Sequence, residues 1–201
     1  MHVIVLAAGA STRFGSPKQL TNIGGRGMLE AVVQRATELG AADVTVVLGA
    51  EAQAIRASLL DSQASIVVNG SYADGISSSI RAGLARLPAT VDAVLILLGD
   101  QAAVTTEDLR RLVARWGREP DRIVAADYGP IIGVPAIFPA DLIPELASLR
   151  GDRGAQPLLS RHPDRVVTVP MPSAAIDIDT ADDLRRLPDF NPRTARVEES
   201  R

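Results

Sequence analysis

One loop gathers the residue types that phosphate chemistry needs. It runs Ala7-Ala8-Gly9-Ala10-Ser11-Thr12-Arg13-Phe14-Gly15-Ser16-Pro17-Lys18 and follows an apolar stretch over residues 2–8. Small residues let backbone amides approach a ligand closely, and Arg13 and Lys18 add two positive charges. The combination describes an anion cradle suited to polyphosphate. Lys18 is singular, because the other 20 of the 21 basic residues are arginines. A lysine is a compact point charge and an arginine a planar fork, so the one lysine marks a place where the ammonium is useful, unless it survives by chance. The loop is not a Walker A motif, since Lys18 stands between Pro17 and Gln19. It is not a dinucleotide fingerprint either, since Gly9-Ala10-Ser11 breaks the Gly-x-Gly start. A plain surface loop with two cations is the competing reading.

Carboxylates follow at two places. Asp100 closes the apolar run 93–98 through Gly99. A carboxylate there is a hard oxygen ligand for a cation such as magnesium, which takes one or two carboxylates plus substrate phosphate oxygens. A turn or helix-capping aspartate is the alternative. Asp177 and Asp179 alternate along a predicted strand and share one side, where they repel unless a cation or an arginine lies between them. Asp179 is the stronger metal candidate of the two, and it also reads as a helix cap. The segment Asn69-Gly70 through Gly75-Ile76-Ser77-Ser78-Ser79 opens a predicted helix, and its free amides and hydroxyls suit a ribose, a base edge or a phosphate. Serine capping without a ligand accounts for it equally well.

These residues need a scaffold, and the hydrophobic pattern predicts one. Apolar runs at 2–8, 44–48, 65–68, 93–98 and 122–126 read as strands. Helical spacing covers 28–39, 51–60, 76–87 and 106–116, the last capped by Thr105 or Thr106. Strand and helix alternate, which predicts a single-domain, Rossmann-like α/β/α sandwich with a mostly parallel sheet. In such sheets ligands bind at the carboxyl ends of strands, where the first loop and Asp100 fall. Residues 127–138 read as a hairpin or a loop flanked by short strands. Short helices follow at 139–149 and 155–160, strands at 166–169 and 175–178, and a last helix at 181–187. The domain is expected over 1–187 and a flexible tail over 188–201.

Composition narrows the function. There is no cysteine, which excludes disulfides, thiolate metal sites and cysteine nucleophiles, and there are only two histidines. A net charge of -3 and 3% aromatic residues argue against nucleic acid as a partner. No apolar run reaches the roughly 20 residues that cross a bilayer, so no membrane partner is expected. The opening residues are too short and too poor in basic residues for a signal peptide, and a cytoplasmic protein is expected.

Leu6-Ala7-Ala8-Gly9-x-Ser11-x-Arg13-Phe14-Gly15-x-Pro17-Lys18 resembles the signature of the nucleotidyltransferases that activate sugars, sterol precursors and molybdopterin. Within them the match is to molybdenum cofactor cytidylyltransferases and their MobA-like relatives, over about residues 2–187. The resemblance implies a GT-A-like fold and transfer of CMP from CTP to a phosphorylated acceptor, molybdopterin, with release of pyrophosphate. It implies magnesium (with manganese as a substitute) on Asp100, Asp179 and Asp177. It makes Arg13, Lys18 and Asp100 catalytic. It assigns the nucleotide to Leu6, Ala7, Ala8, Gly9, Arg13, Lys18, Asn69, Gly70, Gly75, Ser77, Ser79 and Gly99. A transient contact with a molybdoenzyme or its chaperone would follow. The same chemistry on another acceptor or with GTP, or a non-catalytic nucleotide-binding assembly factor, stands as the alternative. The chain departs from the family pattern at Ala102, where proline is usual, and at Ile76, where methionine is usual. It departs again at Val134 and Gln156, where the acceptor region usually has histidine and arginine.

Overall fold

A computed structural model describes residues 1–11, 16–40 and 43–176. The chain runs through β1 (His2–Ala7), two short strands β2 (Asn22–Ile23) and β3 (Arg26–Gly27), α1 (Met28–Thr37), β4 (Asp43–Leu48), α2 (Ala52–Ala57), β5 (Ser65–Val68) and α3 (Ile76–Leu84). It continues through β6 (Ala93–Leu98), α4 (Thr106–Arg118), β7 (Ile123–Asp127), β8 (Ile132–Pro139), α5 (Ile143–Ser148), α6 (Gln156–Arg161) and β9 (Val166–Pro170).

Seven strands form one sheet in the order β5-β4-β1-β6-β8-β7-β9. All run parallel except β8, which pairs antiparallel with both β6 and β7. β6 is the middle strand, as its unbroken apolar run requires, because only a strand covered on both faces tolerates such a sequence. The expected α/β sandwich is therefore present. Strand alternation divides the core into two layers. Val3, Val5 and Ala7 pack with Leu29 and Val33 of α1, Ile55 of α2 and Leu109 of α4 on one face. Ile4 and Leu6 pack with Ile80 of α3, Leu146 of α5 and Leu158 of α6 on the other.

Local signals set the helix ends. Thr105 caps α4 in a reciprocal box with Asp108, the first of the two threonines proposed for that role. α1 stops ahead of Gly40, whose φ of +64° is left-handed and ends the helical ladder. The Gly- and Pro-rich stretch after 127 is the β7–β8 hairpin. The strand expected over 175–178 is described only at its first two residues, where Ala175 ends a 3-10 turn, Pro172–Ala175. Pro172 has no N–H for a ladder, and the Ala174 N–H turns back to the Met171 carbonyl at 3.0 Å. Residues 177–201, with Asp177, Asp179, the expected last helix and the expected tail, lie outside the described residues, as does Arg13. Among the described residues no helix is long and apolar enough to cross a membrane.

Candidate active site

A cleft of about 360 Å³ opens at the carboxyl ends of β1 and β6 and at the start of α3. Leu6, Ala7, Ala8 and Gly9 of the first loop line it, with Lys18, Gly75, Ser79, Gly99 and Asp100. Sequence positions as far apart as 6 and 100 meet there because β1 and β6 are neighbours and the Gly99 N–H donates to the Leu6 carbonyl at 2.8 Å. Gly99 has no room for a side chain: a Cβ there would lie 2.9 Å from both the Ala7 Cβ and Leu29 Cδ1.

The charged groups converge. Lys18 Nζ donates to Asp100 Oδ2 at 2.7 Å, and both side chains are largely buried. Asp100 Oδ1 is buried and makes no hydrogen bond among the described residues. A buried carboxylate oxygen without a partner is costly, and a bound cation is one way to satisfy it. Magnesium needs as little as one protein carboxylate beside substrate phosphates, so Asp100 fits a divalent cation. Among the described residues there is no cluster of three or more metal-ligating side chains; Asp177 and Asp179 lie outside them.

Two buried amides hold this arrangement, and the sequence reading assigned neither a role. Gln19 is 3% exposed. Its Nε2 donates to the carbonyls of Ala7 (3.3 Å) and Gly9 (3.1 Å), and its Oε1 accepts from Ser11 Oγ at 3.2 Å. Ser11 itself takes a left-handed φ of +50°. Gln101 accepts the Leu98 N–H through Oε1 and donates to the Val134 carbonyl at 2.8 Å, tying the Asp100 turn to β8. An uncharged side chain beside a loop carries no sequence signal for such a role.

Asn69, Gly70 and Ser77 do not line the cleft. Asn69 is buried behind it, where its Nδ2 donates to the hydroxyls of Ser78 (2.8 Å) and Ser79 (3.1 Å). Ser77 is fully buried on the inner side of α3, and its N–H donates to the Gly151 carbonyl at 3.1 Å. Helical periodicity explains the split, since only one face of α3 meets the cleft. Ile76, one of the departures from the family pattern, also lines it, with Asp152 and with Tyr72, to which the sequence reading assigned no role.

A second cavity, about 200 Å³, adjoins the first and shares Leu6, Ile76, Leu98 and Asp152 with it. Val134 and Gln156, the two departures in the acceptor region, line it with Arg153.

Comparison with known proteins gives a consistent picture. Residues 3–166 match the MobA-like NTP transferase domain. The chain is 33% identical over 195 residues to nicotine blue oxidoreductase of Paenarthrobacter nicotinovorans, covering 92% of this chain and 94% of that protein. The crystal structure of Rv0371c from Mycobacterium tuberculosis H37Rv superposes with a TM-score of 0.79 at 34% identity, over 92% of this chain and 96% of that one. The same protein has also been solved in complex with manganese, with a TM-score of 0.76. A nucleotidyl transferase from Methanothermobacter thermautotroptrophicus gives a TM-score of 0.80 at 25% identity, over 94% and 95% of the two chains.

Proposed function

The chain belongs to the MobA-like NTP transferase family, a family of nucleotidyltransferases, and on that premise we propose that it moves CMP from CTP to a phosphorylated small acceptor, molybdopterin first among them. The observation that carries the reading is the Lys18–Asp100 pair facing the Ala7–Gly9 backbone in one cleft, with Asp100 Oδ1 left for a cation. A phosphate oxygen of the acceptor attacks the α-phosphorus of the triphosphate. The bond from the α-phosphorus to the bridging oxygen breaks, and pyrophosphate leaves with that oxygen. No covalent enzyme intermediate is needed, so the protein's task is alignment and charge neutralisation.

Ala7, Ala8 and Gly9 bring the loop backbone close to the nucleotide. Lys18 moves from Asp100 to the phosphates and neutralises charge developing on the leaving group, and Arg13 does the same from the loop. Asp100 is the carboxylate that would hold magnesium or manganese, with Asp179 and then Asp177 as further ligands. Such a metal would supply charge neutralisation on the phosphate oxygens. The adjoining cavity with Arg153, Val134 and Gln156 receives the acceptor. The Ala7-Ala8 pair favours CTP over GTP through the resemblance of this loop to cytidylyl members. The absence of cysteine agrees with a reducing cytoplasm.

The test is pyrophosphate release with molybdopterin and magnesium, run separately with CTP, GTP, ATP and UTP. Release with CTP is the expected result. Lys18→Ala and Asp100→Asn should each lower turnover by about 10²–10³ while leaving the circular dichroism spectrum unchanged, as loss of a preorganised charge-stabilising group does. Wild-type turnover in either variant overturns the assignment. The relative named nicotine blue oxidoreductase favours a second reading, an oxidoreductase activity. Consumption of a reduced nicotinamide dinucleotide without pyrophosphate release would select it.

A further inference from the structure

The cleft has two chemically different sides, and the strand order separates them. β4 and β6 flank β1 on opposite sides. Their ends therefore stand roughly 10 Å apart, two strand spacings. Lys18 and Asp100 lie on the β6 side. On the β4 side stands Tyr72, the one aromatic residue among the described residues that line the cleft. Aromatic residues are scarce in this chain, six in all, and most of this ring's neighbours in the lining are small or aliphatic.

Tyr72 is held by its backbone and not by its ring. Its carbonyl accepts the Gly75 N–H at 3.2 Å, which closes a 3-10 turn over Tyr72–Asp74. Its Cβ sits so close to Gly49 that a side chain there would come within 2.7 Å of it and within 2.5 Å of the Ala8 carbonyl oxygen. Gly49 thus lets the turn press onto the end of β4. The residue remains 38% exposed, and its phenol makes no hydrogen bond among the described residues. A partly exposed aromatic residue in the cleft wall, fixed at its base opposite the charged side, has the form of a stacking platform. The span from the ring side to Lys18 suits a nucleoside triphosphate laid across the end of β1.

We propose that Tyr72 stacks on the nucleobase of the bound triphosphate and supplies base affinity that does not depend on which base it is. The inference rests on the triphosphate reading above. Every base presents a π-face, so a stack of this kind strengthens binding of all four nucleotides alike, and selectivity is left to the hydrogen-bonding groups of the cleft. A phenylalanine would serve as well, because no phenol contact is involved, whereas an aliphatic residue of similar size would not.

The experiment measures binding by calorimetry in magnesium, without acceptor, for wild type, Tyr72→Phe and Tyr72→Leu. The probes are CTP, ATP and inorganic tripolyphosphate, which has no base. Tyr72→Leu should weaken CTP and ATP by about 5- to 100-fold and leave tripolyphosphate unchanged, while Tyr72→Phe stays within about twofold of wild type for all three. Equal nucleotide affinity in wild type and Tyr72→Leu overturns the proposal and leaves the triphosphate reading intact. Equal losses for tripolyphosphate and CTP also overturn it, since the ring would then only support the loop. Failure of the wild type to bind any of the three probes overturns the parent reading, and this proposal falls with it.

Discussion

At the scale of single residues, the side chain that ties down the start of the first loop is Gln19. Its amide spends both hydrogen-bonding ends on the loop, two donations to main-chain carbonyls and one acceptance from Ser11. It is also the immediate neighbour of Lys18 on the same 3-10 turn, Lys18–Leu20, so the turn that carries the ammonium is fastened to the strand end it must face. Gln19→Leu keeps the volume and removes the donors. The carbonyls of Ala7 and Gly9 are then left short of partners, which costs about 1–3 kcal/mol. A urea titration should show a lower midpoint at unchanged slope. Because the cradle loosens while the charges stay, KM for the nucleotide should rise more than kcat falls, the reverse of the expectation for Lys18→Ala. Lys18 was legible in the sequence because its type is unique in the chain. Gln19 was not, because its role depends on burial, and nothing in a lone amide announces burial.

At the scale of elements, two segments that read as separate turns form one junction. The start of α3 meets the turn at 151–152: the Ile76 N–H donates to Asp152 Oδ1 at 3.3 Å and the Ser77 N–H to the Gly151 carbonyl. Gly75 makes the contact possible. Its φ is +95°, and any Cβ there would collide with the Asp152 carboxylate and lie 2.6 Å from the Gly151 carbonyl carbon. Gly75→Ala should therefore weaken both the fold and triphosphate binding, with a thermal-melt cost of about 1–3 kcal/mol. Thr105→Ala is the control. It removes the capping box of α4, whose residues do not line the cleft, and should cost about 1 kcal/mol without changing nucleotide affinity. If both variants weaken binding equally, the junction has no special tie to the site. Strands such as Ser65–Val68 and Ala93–Leu98 were legible to the residue, because a short aliphatic run bounded by polar residues reads as a strand both at the half-exposed edge and in the buried centre. The β2–β3 ribbon was not. Two residues per strand around Gly24-Gly25 carry no periodicity; the ribbon is defined by the pairing of Asn22 with Gly27 and Ile23 with Arg26, the Gly25 N–H to Asn22 Oδ1 bond and the packing of Ile23 on Met28.

At the scale of the whole molecule, the order of the sheet follows from parallel crossovers up to β6, but the antiparallel insertion of β8 between β6 and β7 does not. A Gly- and Pro-rich stretch is compatible with a hairpin or a loop, and the choice is made by the β6 edge that β8 covers. The same sheet buries a titratable group at its first residue. His2 is 4% exposed, its Nε2 lies 2.9 Å from Thr45 Oγ1 on β4, and its Nδ1 is buried without a partner. Burial holds its pKa below the ordinary 6.5, the N-terminal ammonium adds to the effect, and Asp43 opposes it without overcoming it. The unfolded chain thus binds a proton near pH 6.5 that the fold refuses, so this contribution to stability is complete above that pH and falls as pH drops through it. A second loss belongs to carboxylates held below their usual range. Arg165 lowers Asp141, and His162 with Arg161 lowers Glu145. Burial pushes Asp108 up, but hydrogen bonds from the Thr105 N–H and hydroxyl and the Ser173 hydroxyl, with Arg111, outweigh it. Their contribution is present above the unfolded carboxylate range and disappears only as pH falls through the lower folded values. Acid destabilisation should therefore come in two stages, seen as urea midpoints that drop between about pH 7.5 and about pH 5.5 and again toward about pH 3. His2→Gln does not titrate, so it should flatten the first stage and leave the second. An unchanged first drop in that variant would place the titrating group elsewhere in the molecule.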